Sequence, residues 1–185
     1  GLKAQNTDVV AWIQIPALDI SYPVVQGKDN SYYLHHMFDG KENKNGSIFI
    51  DYHNQPEFTD SNTIVYGHNM KNGSMFGTLD RYQEKSLFEK YPCFYIYLPD
   101  GILEYRIVSS YAGMTGSVGF TYRFPELEDY QDFLEKIISY AAYDTGTEVT
   151  DTDHIVTLST CVNSDRNYRY LVHGKLERNI KMYNE

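Results

Sequence analysis

The stretch Tyr91–Tyr105, "YPCFYIYLPDGILEY", constrains the fold more than any other. Aromatic and aliphatic β-formers run up to Asp100-Gly101 and away from it again. An Asp-Gly pair between two such runs signals a tight hairpin, which commits this part of the chain to an antiparallel sheet. Other runs read the same way. "SNTIVYGHNM" is a strand ending at Gly67-His68, and "KENKNGSIFIDYHN" is a turn at Asn45-Gly46 followed by a strand. The last two strands fall at 154–161 and 168–177. "WIQIPALDISYPVVQG" alternates apolar and polar residues, and its two prolines point to short edge strands. The 18 tyrosines suit strands and also line binding grooves, so they favour a β-rich class without choosing a function.

Helices are fewer. Residues 125–142 carry Pro125 near the first turn, acidic residues in the N-terminal half, and an apolar stripe of Leu127, Tyr130, Phe133, Leu134, Ile137 and Ile138. Residues 1–12 read as the end of a helix with Val9, Val10 and Trp12 on its apolar side, stopped before Pro16. "DNSYYLHHMFDG" reads as a short helix capped by Asp29 or Asn30 and stopped by Gly40. No repeat, linker or low-complexity tract divides residues 1–185, so the expectation is one domain. Its fold class is mainly β with inserted helices (α+β), a β-barrel or strongly curved sheet.

Composition removes several functions. A net charge of −9 without a cluster of Lys and Arg argues against nucleic-acid binding. Two cysteines without a C-x-x-C pair make no cysteine-based zinc site, and the acidic residues do not follow an EF-hand pattern. No apolar run has membrane-spanning length. The chain begins "GLKAQN" without an initiator methionine and reads as a trimmed or mature fragment, so the lack of an N-terminal signal or anchor does not point to the cytoplasm.

The chemistry concentrates in "TLSTCVNSDRNYRY", Thr157–Tyr170. Cys93 lies among aromatics inside a strand and reads as a small buried hydrophobe. Cys161 ends a strand and precedes a loop, where it is either a packed residue or a nucleophile at a barrel mouth. A catalytic thiol needs a proton partner. Of six histidines, His35 and His36 are adjacent and diverge, His53 sits in a loop, His154 begins a strand and His173 lies inside the last one. His68 stands out at a strand end, where Gly67 leaves room for another chain or a substrate to approach. If the last two strands pair as a hairpin, Cys161 and Arg169 both lie at its open end. Arg169 is then either a donor to a developing oxyanion or a surface residue paired with Asp165 or Glu104.

Together these residues resemble the sortase family. "TLSTC", followed eight residues later by Arg169 and then "YLVHGKL", resembles the sortase active-site signature. "NTIVYGHNMKNGSMFGTL" resembles the family's histidine segment, with class B details. The order His, Cys, Arg matches, and so does the helix-bearing segment 114–142 before the cysteine strand. The resemblance implies a closed β-barrel of about eight strands, with an N-terminal helix and a helix before the cysteine strand. It implies a cysteine transpeptidase with Cys161 as nucleophile, His68 as general acid/base and Arg169 as oxyanion or substrate stabiliser. Asn30, Leu34, Ser159 and Thr160 match groove positions, and Tyr122 is assigned to a groove wall formed by 114–124. The implied partners are an Asn-Pro-x-Thr-like sorting signal, cleaved after Thr, and a peptidoglycan amine that accepts the Thr carbonyl. The implied location is the outer face of the cytoplasmic membrane, held by an N-terminal anchor. No cofactor and no metal are implied. Two other readings stand beside it: a papain-like cysteine protease, and a non-catalytic tyrosine-rich binding domain.

Overall fold

The computed structural model describes residues 1–161 and 167–182. The strands are β1 (Val9–Ile15), β2 (Ile20–Val25), β3 (Ile48–Ile50), β4 (Asn62–His68), β5 (Cys93–Leu98), β6 (Gly101–Met114), β7 (Ile155–Cys161) and β8 (Tyr168–Lys181). Among the described residues they close a barrel in the order β1-β2-β3-β4-β7-β8-β6-β5. Two neighbours run parallel, β2 with β3 and β4 with β7; the other pairs are antiparallel. The interior is apolar, filled by Ile13, Ile15, Val24, Ile48, Ile50, Val65, Phe94, Ile96, Tyr105, Ile107, Val156, Leu158 and Val172.

The hairpin forms one residue earlier than the Asp-Gly signal suggests. Leu98 pairs with Gly101, so Pro99-Asp100 make the turn and Gly101 opens β6. A Cβ at Gly101 would lie 2.5 Å from the Ile180 carbonyl oxygen, so glycine here admits β8. Closure also removes the expected edges. β1 pairs with both β2 and β5, and β2 with β1 and β3. Pro23 fits because β3 meets β2 only at Val24 and Val25, so its missing N–H is not needed there.

The N-terminal helix is short, Leu2–Gln5 (α1). Asn6 ends it with a local turn, its side-chain oxygen accepting the Asp8 N–H, and Val9, Val10 and Trp12 belong to β1 instead. The β-branched pair gains more from two neighbouring strands than from a lone helix. The expected helix after Asp29 is one 3-10 turn, Tyr32–Leu34. Its N-cap position is Ser31 rather than Asp29 or Asn30; Asp29, two residues earlier, accepts the N–H groups of Ser31 and Tyr32 in a turn that leads into it. The chain then folds back, with Asn43 N–H donating to the His35 carbonyl and Met37 N–H to that of Lys41. A second helix, Lys85–Lys90 (α2), precedes β5 and has no counterpart in the sequence reading.

The third helix, α3, spans Leu127–Ser139 and starts with a capping box between Glu126 and Asp129. Tyr130, Phe133, Leu134 and Ile137 pack on Val108 and Ile155 of the barrel's outer wall. Leu127 and Ile138 are exposed, so the working stripe is narrower than the sequence stripe. With apolar layers on both faces, β7 is buried along its whole length.

A polar chain crosses that outer layer. Asn62 donates its amide to the Thr121 carbonyl, so its own oxygen must accept, and the Thr157 hydroxyl donates to it at 2.7 Å. Thr157 therefore accepts from His173 Nδ1 at 2.7 Å, and His173 Nε2 accepts from the Tyr111 hydroxyl at 2.9 Å. The result is a neutral chain of fixed direction from β6 to the 118–121 segment. Full burial pushes the His173 pKa down to about 3. Unfolded histidine titrates near 6.5, so the unfolded chain takes up a proton that the native one refuses. Stability should therefore fall as pH drops below about 6.5, by about 2 kcal/mol between pH 6.5 and 5. Chemical unfolding of wild type and His173→Gln across that range checks this: the variant should be less stable at pH 7 but should lose less on acidification.

Candidate active site

β4 and β7 run in the same direction, so both end at the same rim. Their register pairs Tyr66 with Ser159, Gly67 with Thr160 and His68 with Cys161. Paired residues on neighbouring strands lie roughly 4.8 Å apart, and their side chains leave the same face. That face is the outer one. Val156 and Leu158 point into the barrel core, while Ile155 meets α3 on the outside. Alternation puts Thr157, Ser159 and Cys161 outside with Ile155, and Ile64, Tyr66 and His68 beside them. The thiol thus sits on the barrel's outer wall near its rim, not inside a mouth.

Gly67 does not leave space for a substrate. Its Cα faces inward, where a Cβ would lie 2.6 Å from Ile48 Cδ1 and from the Phe76 ring. Phe76 N–H also donates to the His68 carbonyl, tying the following loop back onto the strand end. His68 Nε2 lies 2.6 Å from the Leu34 carbonyl oxygen. A carbonyl only accepts, so Nε2 carries a proton, and Nδ1 is the nitrogen left to take another. Leu34 thus acts on the site through its main chain.

Arg169 belongs to β8, whose ladder with β7 ends at the Ser159–Leu171 pair; Arg169 and Cys161 lie two residues beyond that pair on their strands, close enough for the guanidinium charge to act on the thiol. Arg169 is 9% exposed and donates from one guanidinium nitrogen to the Tyr168 carbonyl. Glu104 pairs with Arg178 in a two-bond fork, not with Arg169, and Asp165 lies outside the described residues. Burial pushes the Cys161 thiol up to about 12, against the pull of the Arg169 charge and of its own backbone N–H. Cys93 is half-buried in β5, and burial followed by the Glu104 charge raises its thiol as well.

The remaining predicted residues divide. Asn30 donates its amide to Asp51 Oδ2 at 3.0 Å and accepts the Tyr52 N–H. Tyr122 is exposed and stacks on the His53 ring, centroids 4.1 Å apart. Ser159 shares the face of Cys161 but is fully covered, its hydroxyl donating to the Thr160 carbonyl. Thr160 corrects an expectation: it points inward, is 4% exposed, and its hydroxyl accepts the Tyr170 N–H, stitching β7 to β8. Sequence reasoning passed over Asp51 and Tyr66. Asp51 is buried next to Ile50, and Tyr66 donates to it at 2.8 Å. An acidic residue directly after the all-apolar "IFI" was the available signal. A papain-like site would need a helix starting at the cysteine; here Cys161 ends a strand.

The closed barrel thus carries a cysteine, a histidine and an arginine close together on its outer wall. The family profile described as the sortase domain matches residues 13–177. Sortase B of Listeria monocytogenes is 40% identical over 181 residues, covering 95% of this chain and 72% of the relative. Sortase B of Staphylococcus aureus is 33% identical over 177 residues, with the same coverage. The structure of a Staphylococcus aureus sortase B–substrate complex superimposes with a TM-score of 0.90 at 32% identity, covering 96% of this chain and 83% of that one. The chain belongs to the sortase family of transpeptidases, and within it to class B.

The raised thiol makes a prediction. With the pKa near 12, alkylation of Cys161 by iodoacetamide should quicken about tenfold per pH unit from 7 to 9 without levelling. Arg169→Gln should slow it at every pH in that range, because the cation that favours the thiolate is gone. A plateau below pH 9 would contradict the burial argument, and unchanged rates in Arg169→Gln would contradict the charge argument.

Proposed function

We propose that this protein cleaves an Asn-Pro-x-Thr-like sorting signal after Thr and transfers the Thr carbonyl to a peptidoglycan amine. The observation that carries the reading is the β4–β7 pairing, which sets His68 beside Cys161, with Arg169 across the next strand gap. In this reading the Cys161 proton passes to His68 Nδ1, and the thiolate attacks the Thr carbonyl carbon. The carbonyl π-electrons move to oxygen, and the Arg169 guanidinium donates to that oxyanion. When the C–N bond breaks, His68 returns the proton to the departing amine, leaving a thioester on Cys161. The acceptor amine then attacks, gives a proton to His68, and expels the sulfur. Water attacks the same thioester more slowly, giving hydrolysis.

Asn30, Leu34 and Tyr122 border the groove that takes the signal, with Ser159 beneath it. The substrate complex of the similar Staphylococcus aureus protein supports reading this outer face as a peptide site. The family resemblance supports action at the outer face of the cytoplasmic membrane, with an N-terminal anchor outside this sequence.

Intact-mass spectrometry with a panel of Pro-x-Thr peptides tests the reading. The expected result is a mass gain equal to the peptide cut after Thr, absent in Cys161→Ala. Folded protein that neither gains mass nor cleaves any peptide overturns it. Arg169→Lys should slow acylation about 100-fold or more, since one ammonium cannot reproduce the planar fork. His68→Ala should abolish acylation while leaving the thermal unfolding midpoint close to wild type.

A further inference from the structure

Asp51 is buried at 3% exposure, and both its carboxylate oxygens are filled. Oδ1 accepts the His53 backbone N–H at 3.0 Å and His53 Nδ1–H at 2.6 Å. Oδ2 accepts the Asn30 amide at 3.0 Å and the Tyr66 hydroxyl at 2.8 Å. Among the described residues its ion-pairing partner is His53. Each donor leads to a different part of the groove. Asn30 lies in the segment that also carries Leu34, whose carbonyl holds His68. Tyr66 sits on the same outer face as His68 and Cys161, two register pairs behind them. The His53 ring lies between Tyr52 and Tyr122, with centroids 3.8 Å and 4.1 Å away. Tyr122 belongs to the 114–124 segment, which the family resemblance assigns to the other groove wall.

We infer that Asp51 is a positioning residue that joins the two walls of the signal groove, holding Asn30 directly and Tyr122 through the His53 ring. The geometry argues for more than burial of a polar group. A carboxylate accepts only, so it aims four donors at once, and His53 is turned with its ring plane near-parallel to Tyr122, at 15°. The Nδ1 bond fixes the ring's rotation, and with Thr121 held by Asn62 and Phe124 packed on Tyr130 and Phe133, the His53 ring is what orients the Tyr122 side chain between them. Tyr52 and Tyr122 are both largely exposed, so the stack presents aromatic surface at the groove edge instead of filling a core. This role concerns capture of the peptide, not the chemistry at sulfur, so it should appear in KM more than in kcat.

The inference rests on the peptide-transfer reading, and its test separates the two. Steady-state cleavage of the best signal peptide from the panel is measured for wild type, His53→Ala, Tyr122→Ala, the double variant and Asp51→Asn. His53→Ala and Tyr122→Ala should each raise KM about 3- to 10-fold, the worth of an aromatic stack, with kcat within about twofold. The double variant should be no worse than the poorer single, because the two rings act as one unit. Asp51→Asn keeps one acceptor oxygen and sets an NH₂ against donors at the other, so KM should rise about 10- to 100-fold. Unchanged KM in His53→Ala, or multiplying effects in the double variant, overturns the inference while the transfer reading stands. Absence of wild-type turnover with every peptide overturns both. If Asp51→Asn does not fold, the His53 and Tyr122 cycle decides alone, since both side chains are at the surface.

Discussion

The parallel pairing of β4 with β7 is the constraint on which the rest of the molecule depends. Antiparallel neighbours would send the ends of the histidine strand and the cysteine strand to opposite rims. Parallel neighbours bring them to one rim, but the chain must then cross from His68 back to the start of β7. That return is residues 69–154, and it contains α2, the β5–β6 hairpin and α3. The barrel is completed by what the crossover supplies. A slip of one residue in the β4 register would turn His68 into the barrel interior. Gly67 guards against it: at the inward position beside Phe76 and Ile48 no larger residue fits, and the imidazole certainly does not.

What could be read from the sequence was mostly local. The strand runs, the Asp-Gly turn region and the capped helix after Pro125 each carry their signal within about ten residues. Cys161, His68 and Arg169 were legible because motif and chain order recur in a family. Barrel closure was not, and this is why the β1–β2 region reads as edge strands when every strand has two neighbours. Asp51 was hidden for the same reason: its four donors come from positions 30, 53 and 66, which no window brings together. Thr160 was a different kind of miss. Adjacent residues in a strand face opposite ways, so once Cys161 faces out Thr160 must face in, and the rule needed only to be applied.

Two polar devices hold the 114–124 wall, and they work by opposite means. The chain from Tyr111 through His173 and Thr157 to Asn62 is neutral, with every donor matched to one acceptor. It spends no charge, so deep burial costs it only the desolvation that its hydrogen bonds offset. Asp51 instead concentrates four donors on one buried carboxylate, two of them from the exposed His53. The neutral chain fixes where the wall leaves the barrel. The carboxylate acts at the wall's exposed end, where the peptide would lie.

The electrostatics of the thiol follow from the same placement. Because Cys161 lies on an outer wall that other segments cover, it is desolvated, and desolvation favours S–H over S⁻. A resting thiolate is therefore costly, and in the proposed reaction the nucleophile is made when the peptide is in place. Covering the site with peptide removes still more water, which would raise that cost if nothing opposed it. Two cations do: the imidazolium formed as His68 takes the proton, and Arg169 close to the sulfur. In the proposed reaction, as sulfur bonds to the carbonyl carbon, the negative charge would move about two bonds, from S to O. A point charge aimed at sulfur would lose its grip on that charge during the step. In that reaction a planar guanidinium with several donors meets a charge that moves from sulfur to oxygen better than a single ammonium does, which is a physical reason for arginine at position 169.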